Sequence, residues 1–170
     1  FYGFKDANMT ATPEQLFLRF DELGIDHTTH HHDPVFTVEE AQAVSRILEG
    51  GHSKNLFLKD KNGDLYLLVA LEDTKVDLKA LRKTIGAKNL SFGKAELLVE
   101  ALGIEPGSVT PFALINDQTH RVRVLLDSLM MEEELLNFHP LINDKTTQIS
   151  SKGLLHFINE CGHDSTIVVL

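Results

Sequence analysis

Lys54 is the residue whose type and position most strongly suggest chemistry. It follows a Gly-Gly-His-Ser stretch and opens the apolar segment 54–60, KNLFLKD. A lysine ammonium is a compact point charge that can hold a phosphate or an ester oxygen. Asn55, next to it, can donate or accept a hydrogen bond. From the residues alone, the ordinary alternative is a solvated lysine at a strand end.

A glycine-to-proline segment lies about fifty residues downstream. Its members are Gly107, Ser108, Val109, Thr110 and Pro111. Glycine permits a close approach of backbone to ligand, and proline fixes the path of the chain. The sequence is consistent with a ligand-lining segment or with an ordinary turn that enters a strand.

His139 forms a third candidate, within Phe138-His139-Pro140. The ordinary pKa of histidine, about 6.5, suits either proton transfer or the positioning of a water or a ribose hydroxyl. Positioning is the stronger expectation. The alternative is a His-Pro turn with purely structural hydrogen bonds.

These three motifs, in this order, resemble those of the YbaK/prolyl-tRNA synthetase-associated editing domain. Within that family the match is to the freestanding Ala-tRNA(Pro) deacylases. The segment 67–78, LLVALEDTKVDL, strengthens the resemblance, which extends from about Pro13 to the last residue. Many relatives have glycine where this chain has Phe138, so the resemblance predicts a narrowed pocket or a shifted loop there.

The resemblance implies trans-editing: hydrolysis of alanine from proline tRNA, with the prolyl ester spared by a size-selective pocket. It implies a positioned water, no cofactor and no metal. Lys54 and His139 are the implied catalytic residues. The implied substrate-binding residues are Asn55, Gly107, Ser108, Val109, Thr110, Pro111 and Pro140. The implied partners are the acceptor end of proline tRNA and, as a candidate, prolyl-tRNA synthetase.

Two other functions remain open. A different aminoacyl-tRNA deacylase, such as one acting on Cys-tRNA(Pro), would differ in pocket volume. A non-catalytic tRNA-binding or synthetase-associated module would bind without turnover.

Two features suggest other chemistry. The run from His27 to His32 contains four histidines, but its threonines and the following proline favour an extended chain, with His30 and His32 on one face and His31 on the other. Such a pair can bind adventitious zinc or nickel, and no functional metal site is predicted. Cys161, the only cysteine, excludes an internal disulfide and is predicted to pack rather than to act as a nucleophile.

Length, composition and charge limit the number of domains, the possible partners and the expected location of the protein. The 170 residues, 42% of them hydrophobic, fit one domain over 9–170, with 1–8 before Met9 as an extension. The formal charge of −9 argues against DNA or a long duplex, although a local basic rim can hold a tRNA end. No apolar stretch reaches the ~20 residues of a membrane span and no signal-peptide order is present, so a cytoplasmic protein is expected.

Local patterns predict the elements that must position these residues. Capping boxes at Thr12 and Thr37 open two helices, and Asn62-Gly63 joins a hairpin of 55–60 and 64–71. Further helices are predicted from Asp77 to Gly86, from Ser91 or Gly93 to Gly103, and from Ser150 or Ser151 to Gly162. A second hairpin is predicted from 109–116 and 121–126, and a last strand over 166–170.

This order predicts an α+β fold with a mixed, mostly antiparallel, curled sheet flanked by helices. The family resemblance further implies that the sheet closes, or nearly closes, into a barrel.

Overall fold

The computed structural model describes residues 10–45 and 47–170, so the expectation for residues 1–8 lies outside the described residues. The helices are α1 (Pro13–Glu22), α2 (Val38–Ser45), α3 (Leu78–Ile85), α4 (Ala95–Leu102) and α5 (Ser151–Glu160). The strands are β1 (Thr28–His31), β2 (Gly51–Lys59), β3 (Leu65–Leu71), β4 (Ser91–Phe92), β5 (Val122–Asp127), β6 (Leu135–Phe138), β7 (Lys145–Ser150) and β8 (Ser165–Val168). None of the described helices is long and apolar enough to cross a lipid bilayer.

The strands form one mixed sheet in the order β1-β7-β6-β2-β3-β5-β8, with β4 added beside β2. Four pairings are antiparallel, β1–β7, β2–β3, β2–β4 and β6–β7, and three are parallel, β2–β6, β3–β5 and β5–β8. The predicted α+β class with a mixed sheet is confirmed.

The implied barrel closure is wrong for the described residues, because β1 and β8 end the strand order without pairing with each other. Helix α5 connects β7 to β8 in the chain and contacts both strands.

Most helix starts follow the sequence signals. Thr12 and Gln15 form the predicted capping box of α1, and Asp77 and Ser150 cap α3 and α5. The hydroxyl of Thr37 accepts a hydrogen bond from the backbone of Glu40 at 3.1 Å.

Helix α4 begins later than predicted, at Ala95 after Lys94. Ser91 and Phe92 instead pair with β2 as a short strand. A Cβ atom at Gly93 would lie 2.4 Å from the Phe57 ring, so glycine lets this segment cross that ring before the helix starts.

The predicted second hairpin is wrong. Pro111–Asn116 forms a 3₁₀ helix with Thr110 as its cap, and β5 pairs in parallel with β3. A short apolar run is compatible with a buried helical segment as well as with a strand, and here it is buried on all sides. Proline at the first position and the threonine cap favour the helical form.

The sheet has two covered faces. Phe57, Leu136 and Phe138 belong to the larger core, under α1, α4 and α5, and their side of the sheet is called here the core face. On the opposite side, Leu58 and Leu81 belong to a smaller core that includes α3, and that side is called the outer face.

Candidate active site

The candidate site is a cavity of about 240 Å³ beside the short stretch where β2 and β6 pair in parallel. The two strands pair at Gly51–Leu136 and His52–Asn137, and no pairing is recorded beyond these positions. Helix α2 supplies one wall. The lining residues are Val35, Ala41, Gln42, Val44, His52, Ser53, Lys54, Asn55, Glu72, Asn137, Phe138, His139 and Thr146.

Gly50 permits this junction of strands. Its φ is +94°, and a Cβ atom there would lie 3.0 Å from both the Asn137 side-chain nitrogen and the Leu135 carbonyl oxygen. Only glycine accepts this backbone conformation readily and leaves that space open. The Ser53 hydroxyl donates to the Asn137 carbonyl at 3.3 Å and adds a further link between the strands.

Lys54 faces the outer side of the sheet. Side chains alternate along β2, so Lys54 shares a face with Leu56 and Leu58, whereas Phe57 lies in the larger core. Its ammonium donates to the carbonyl oxygen of Thr74. The Thr74 hydroxyl in turn donates to the buried Asp127 carboxylate at 2.8 Å, which holds the loop in place. The free protein therefore keeps the ammonium on the Thr74 loop, although Thr74 itself does not line the cavity.

Asn55 also lines the cavity, but its side chain leaves the strand on the core face, opposite to Lys54. Its amide nitrogen donates to the Ser53 hydroxyl at 3.3 Å. Its amide oxygen is buried without a hydrogen-bond partner among the described residues. The two neighbouring candidates thus approach the cavity from different sides of the sheet.

His139 follows directly after β6, next to Phe138, which belongs to the larger core. Its Nδ1 lies 3.1 Å from the carbonyl oxygen of Lys145. A carbonyl only accepts, so Nδ1 carries the hydrogen and Nε2 is the acceptor in the neutral ring. Burial lowers the pKa of His139 below its ordinary value, and the nearby His32 adds to that effect. His139 thus presents a neutral imidazole with an unprotonated nitrogen.

The glycine-to-proline segment does not line this cavity. A Cβ atom at Gly107 would meet only the Asn143 amide nitrogen at 3.7 Å and the Val35 carbonyl oxygen at 3.8 Å, which are ordinary contacts. Val35 is a wall residue, so the segment lies behind the wall. Ser108, Thr110 and Pro111 are buried in the free protein. Pro140 is buried and is also absent from the lining.

Phe138 enters the core, with its ring centroid 5.4 Å from that of Phe112. It anchors the strand that carries Asn137 and His139. Asn137 is a cavity residue that sequence reasoning missed. Its only sequence signal was its place directly before the Phe-His-Pro motif.

Strand β1 covers Thr28–His31 within the histidine run, and the burial agrees with the predicted alternation: His31 is exposed, whereas His30 and His32 are half-buried. His32 Nε2 lies 2.8 Å from the Thr146 hydroxyl and its Nδ1 lies 2.8 Å from the Asp33 carbonyl oxygen. Among the described residues, no group of three or more histidine, cysteine or acidic side chains is arranged to hold a metal.

Cys161 lies at the end of α5, and burial raises the pKa of its thiol to about 12. The reactive thiolate is therefore a negligible species near neutral pH.

The chain is similar to known proteins in both sequence and fold. The aminoacyl-tRNA editing domain matches residues 32–157, a range that contains Lys54 and His139. The chain is 35% identical over 151 residues to the prolyl-tRNA editing protein ProX of Acetoanaerobium sticklandii, covering 88% of this chain and 92% of that protein. It is 38% identical over 167 residues to prolyl-tRNA synthetase associated domain-containing protein 1 of Bos taurus, covering 95% of both chains.

A solved structure described as a candidate trans-editing enzyme for prolyl tRNA synthetase shares the fold, with a TM-score of 0.68 and 18% identity. The match covers 95% of this chain and 99% of that one. From the match to the domain and the identity to its relatives along most of the chain, it follows that this protein belongs to the aminoacyl-tRNA editing domain family.

Proposed function

We propose that this protein is a deacylase that removes alanine from mischarged proline tRNA and spares the correctly charged prolyl-tRNA. One observation carries the proposal: Lys54, on β2, and His139, directly after β6, line one small cavity in a chain of the editing family. The names of its relatives, ProX and the synthetase-associated protein, support proline tRNA as the substrate.

The reaction is the hydrolysis of an aminoacyl ester. Water adds to the carbonyl carbon, the bond from that carbon to the ribose oxygen breaks, and the ribose oxygen leaves with a proton as a hydroxyl. Because an aminoacyl ester is already activated, a well-positioned water is sufficient and no protein nucleophile is required. The protonated Cys161 thiol accords with such a mechanism.

Lys54 is assigned to the anionic part of the substrate. Its ammonium, held by the Thr74 carbonyl in the free protein, would exchange that partner for the terminal phosphate or for the ester oxygen as charge develops on it. Asp127 keeps the Thr74 loop in place, so the ammonium starts from a fixed position.

His139 is assigned to the ribose and the water. Its Nε2 would accept a hydrogen bond from a ribose hydroxyl or from the attacking water, while Lys145 fixes the ring through Nδ1. Asn55 and Pro140 would complete the ester side of the pocket as supporting residues.

Selectivity is assigned to size. The alanyl group would fit against Val35, whereas the prolyl ring would not. Gly107 to Pro111 would act from behind this wall, because the Gly107 backbone packs near the Val35 carbonyl. A pocket of this kind discriminates by volume, which is the property that also separates alanine from cysteine.

The deciding experiment measures deacylation of proline tRNA charged with alanine, cysteine, serine or proline. The proposal expects fast hydrolysis of the alanyl ester and slow hydrolysis of the prolyl ester. Faster turnover of the cysteinyl ester would assign the protein to that specificity instead. Binding of all four without turnover would indicate a non-catalytic tRNA-binding or synthetase-associated module.

A further inference from the structure

Asn137 carries a buried hydrogen-bond acceptor that nothing in the free protein satisfies. The residue is 3% exposed, and its amide oxygen has no hydrogen-bond partner among the described residues. Its amide nitrogen donates to the carbonyl oxygens of Glu49, at 2.8 Å, and Gly51, at 3.2 Å. Two carbonyl acceptors on the nitrogen side fix the orientation of the amide, so the unpaired atom is the oxygen.

This amide belongs to the candidate active site. Asn137 lines the same cavity as Lys54 and His139. By strand alternation the Lys54 and Asn137 side chains leave the sheet on the outer face, because Phe57, Leu136 and Phe138 occupy the core face. His139 follows directly after β6.

An unpaired buried oxygen lowers the stability of the folded protein. Such a cost is tolerated where a ligand supplies the missing donor. This oxygen has almost no exposed surface, so a small shift of the cavity wall must accompany the arrival of that donor.

The size and charge of the cavity indicate which substrate group donates to the Asn137 oxygen. This step rests on the proposed function. Pockets for drug-sized ligands span about 300–1,000 Å³. The cavity, at about 240 Å³, therefore suits the aminoacyl group rather than the whole terminal nucleoside. In an alanyl group the only hydrogen-bond donor is the α-ammonium. Glu72 and Lys54 both line this cavity, so its wall carries a negative group that can attract a cation as well as a positive group for the ester or phosphate.

We propose that the Asn137 amide oxygen accepts a hydrogen bond from the α-ammonium of the bound aminoacyl group. Asn137 is thus a positioning residue that makes a free amino group a requirement for hydrolysis. It selects amino-acid esters over other esters and does not separate alanine from proline, because both carry an ammonium.

The first test compares two esters on the same proline tRNA, alanyl and propionyl, which differ only in the amino group. Each enzymatic rate is divided by the spontaneous rate, because the ammonium itself activates the ester. A hydrogen bond to a charged group predicts a preference for alanyl of about tenfold to a hundredfold. Equal normalised rates would overturn the role of Asn137 and leave the deacylase function standing.

The second test uses a matched pair of variants. Asn137→Leu and Asn137→Asp both lose the amide nitrogen that binds Glu49 and Gly51, and only the aspartate retains an acceptor oxygen. The alanyl-to-propionyl ratio should fall towards one in the leucine variant and persist in the aspartate variant. Asn116→Leu serves as the control and should keep the ratio, because Asn116 lies outside the cavity and its amide likewise donates to a backbone carbonyl, that of Leu102. A purely structural role would lower both rates and leave every ratio unchanged.

The third test needs neither a stable variant nor turnover. The wild-type protein, labelled with ¹⁵N, is titrated with the non-hydrolysable amide analogues 3′-alanylamido- and 3′-propionylamido-adenosine. The side-chain amide signals of Asn137 should shift with the alanyl analogue and much less with the propionyl one. Equal shifts, or none with either analogue, would overturn the inference. If the alanyl analogue shifts the Asn137 signals saturably but the protein does not hydrolyse alanyl-tRNA, the inference stands and the proposed deacylase function is rejected.

Discussion

At the scale of single residues, the geometry of the site depends on hydrogen bonds that Lys54 and His139 already make in the free protein. The Lys54 ammonium is held by the Thr74 carbonyl, and His139 uses one ring nitrogen on Lys145 while keeping the other unprotonated. Both side chains are oriented by backbone carbonyls, which do not change their charge with pH. This arrangement fixes geometry in advance, as the proposed positioned-water mechanism requires.

Replacing Lys54 with alanine should remove most deacylation and leave the fold intact. Loss of one positioned donor to a developing oxyanion costs about a hundredfold or more in rate. Initial rates on alanyl-tRNA and circular dichroism would be measured together. Lys59→Ala, on the same strand, is the matched control and should be nearly as active as wild type. A folded Lys54→Ala protein with wild-type turnover would remove this lysine from the mechanism.

The pH dependence of the reaction should follow His139. Burial lowers the pKa of His139, so the ring is neutral at pH 7 and gains a proton only as the pH falls through that lowered value. Activity should therefore be flat from about pH 7 to 8 and should decline well below the ordinary value of about 6.5. The profile of kcat/KM for wild type and His139→Gln checks this. An acid limb that survives unchanged in the variant would assign the titration to another group.

The same shift links His139 to stability. The unfolded chain takes up the proton near pH 6.5, before the folded protein does. The stabilisation is present above that pH and is lost as the pH falls through the folded pKa. Thermal unfolding at pH 7.5 and 5.5 should show a smaller difference for His139→Gln than for wild type.

At the scale of elements, the junction between β2 and β6 creates the site. Gly51 and His52 hold the strands together, and Ser53 adds a side-chain link to the Asn137 carbonyl. The cavity lies beside this short contact. Its geometry depends on the backbone of Gly50, where the chain turns with a positive φ into β2.

Gly50→Ala should therefore destabilise the protein and reduce activity together. The matched control is Gly63→Ala in the β2–β3 turn, where φ is +87° and nothing lies within 4 Å of the new Cβ atom. The control should lose about 1 kcal/mol, the cost of the left-handed conformation alone. Gly50→Ala should lose more, because its Cβ atom meets Asn137 and Leu135 at 3.0 Å. Urea unfolding gives both values, and equal losses would show that crowding at this junction is unimportant.

At the scale of the whole molecule, packing between distant segments sets the volume of the pocket. Val35 precedes α2 in the chain, and its backbone bonds with Asn143 in both directions: it donates to the Asn143 carbonyl at 3.1 Å and accepts from the Asn143 amide at 3.2 Å. The Gly107 segment packs against the same place. The proposed sieve is therefore a property of three segments together.

Val35→Ala should enlarge the pocket and raise the rate on prolyl-tRNA relative to alanyl-tRNA. Gly107→Val should act in the opposite sense and slow the alanyl reaction by pressing on that wall, with little change in tRNA affinity. Val122→Ala, a buried valine outside the cavity, controls for a general loss of packing. Steady-state kinetics on both esters give the ratios. Unchanged ratios in both test variants would place the size filter elsewhere in the protein.

Chelators should leave the activity of untagged protein unchanged. The half-buried His32 is engaged with Thr146 and Asp33 rather than directed at a shared metal point. Deacylation after treatment with EDTA, together with elemental analysis, checks this. Activity that disappears and returns with one specific metal would contradict the positioned-water mechanism.

The sequence by itself determined the features that are local. Capping residues fixed the starts of α1, α2, α3 and α5, and the Asn-Gly pair fixed the β2–β3 hairpin, because these signals act through hydrogen bonds and backbone angles within a few residues. Lys54, Asn55 and His139 were likewise identified from short motifs, and all three line one cavity.

Only the tertiary structure decided the rest, because it depends on contacts between residues far apart in the chain. The run at 111–116 is apolar enough for a strand, and burial on all sides made it a 3₁₀ helix instead. The sheet is open among the described strands because β1 and β8, far apart in the chain, end the strand order without pairing. Asn137 had no motif to mark it. Its amide nitrogen donates to the carbonyl of Gly51, which lies 86 residues away in the chain, and this leaves the amide oxygen as the unpaired atom.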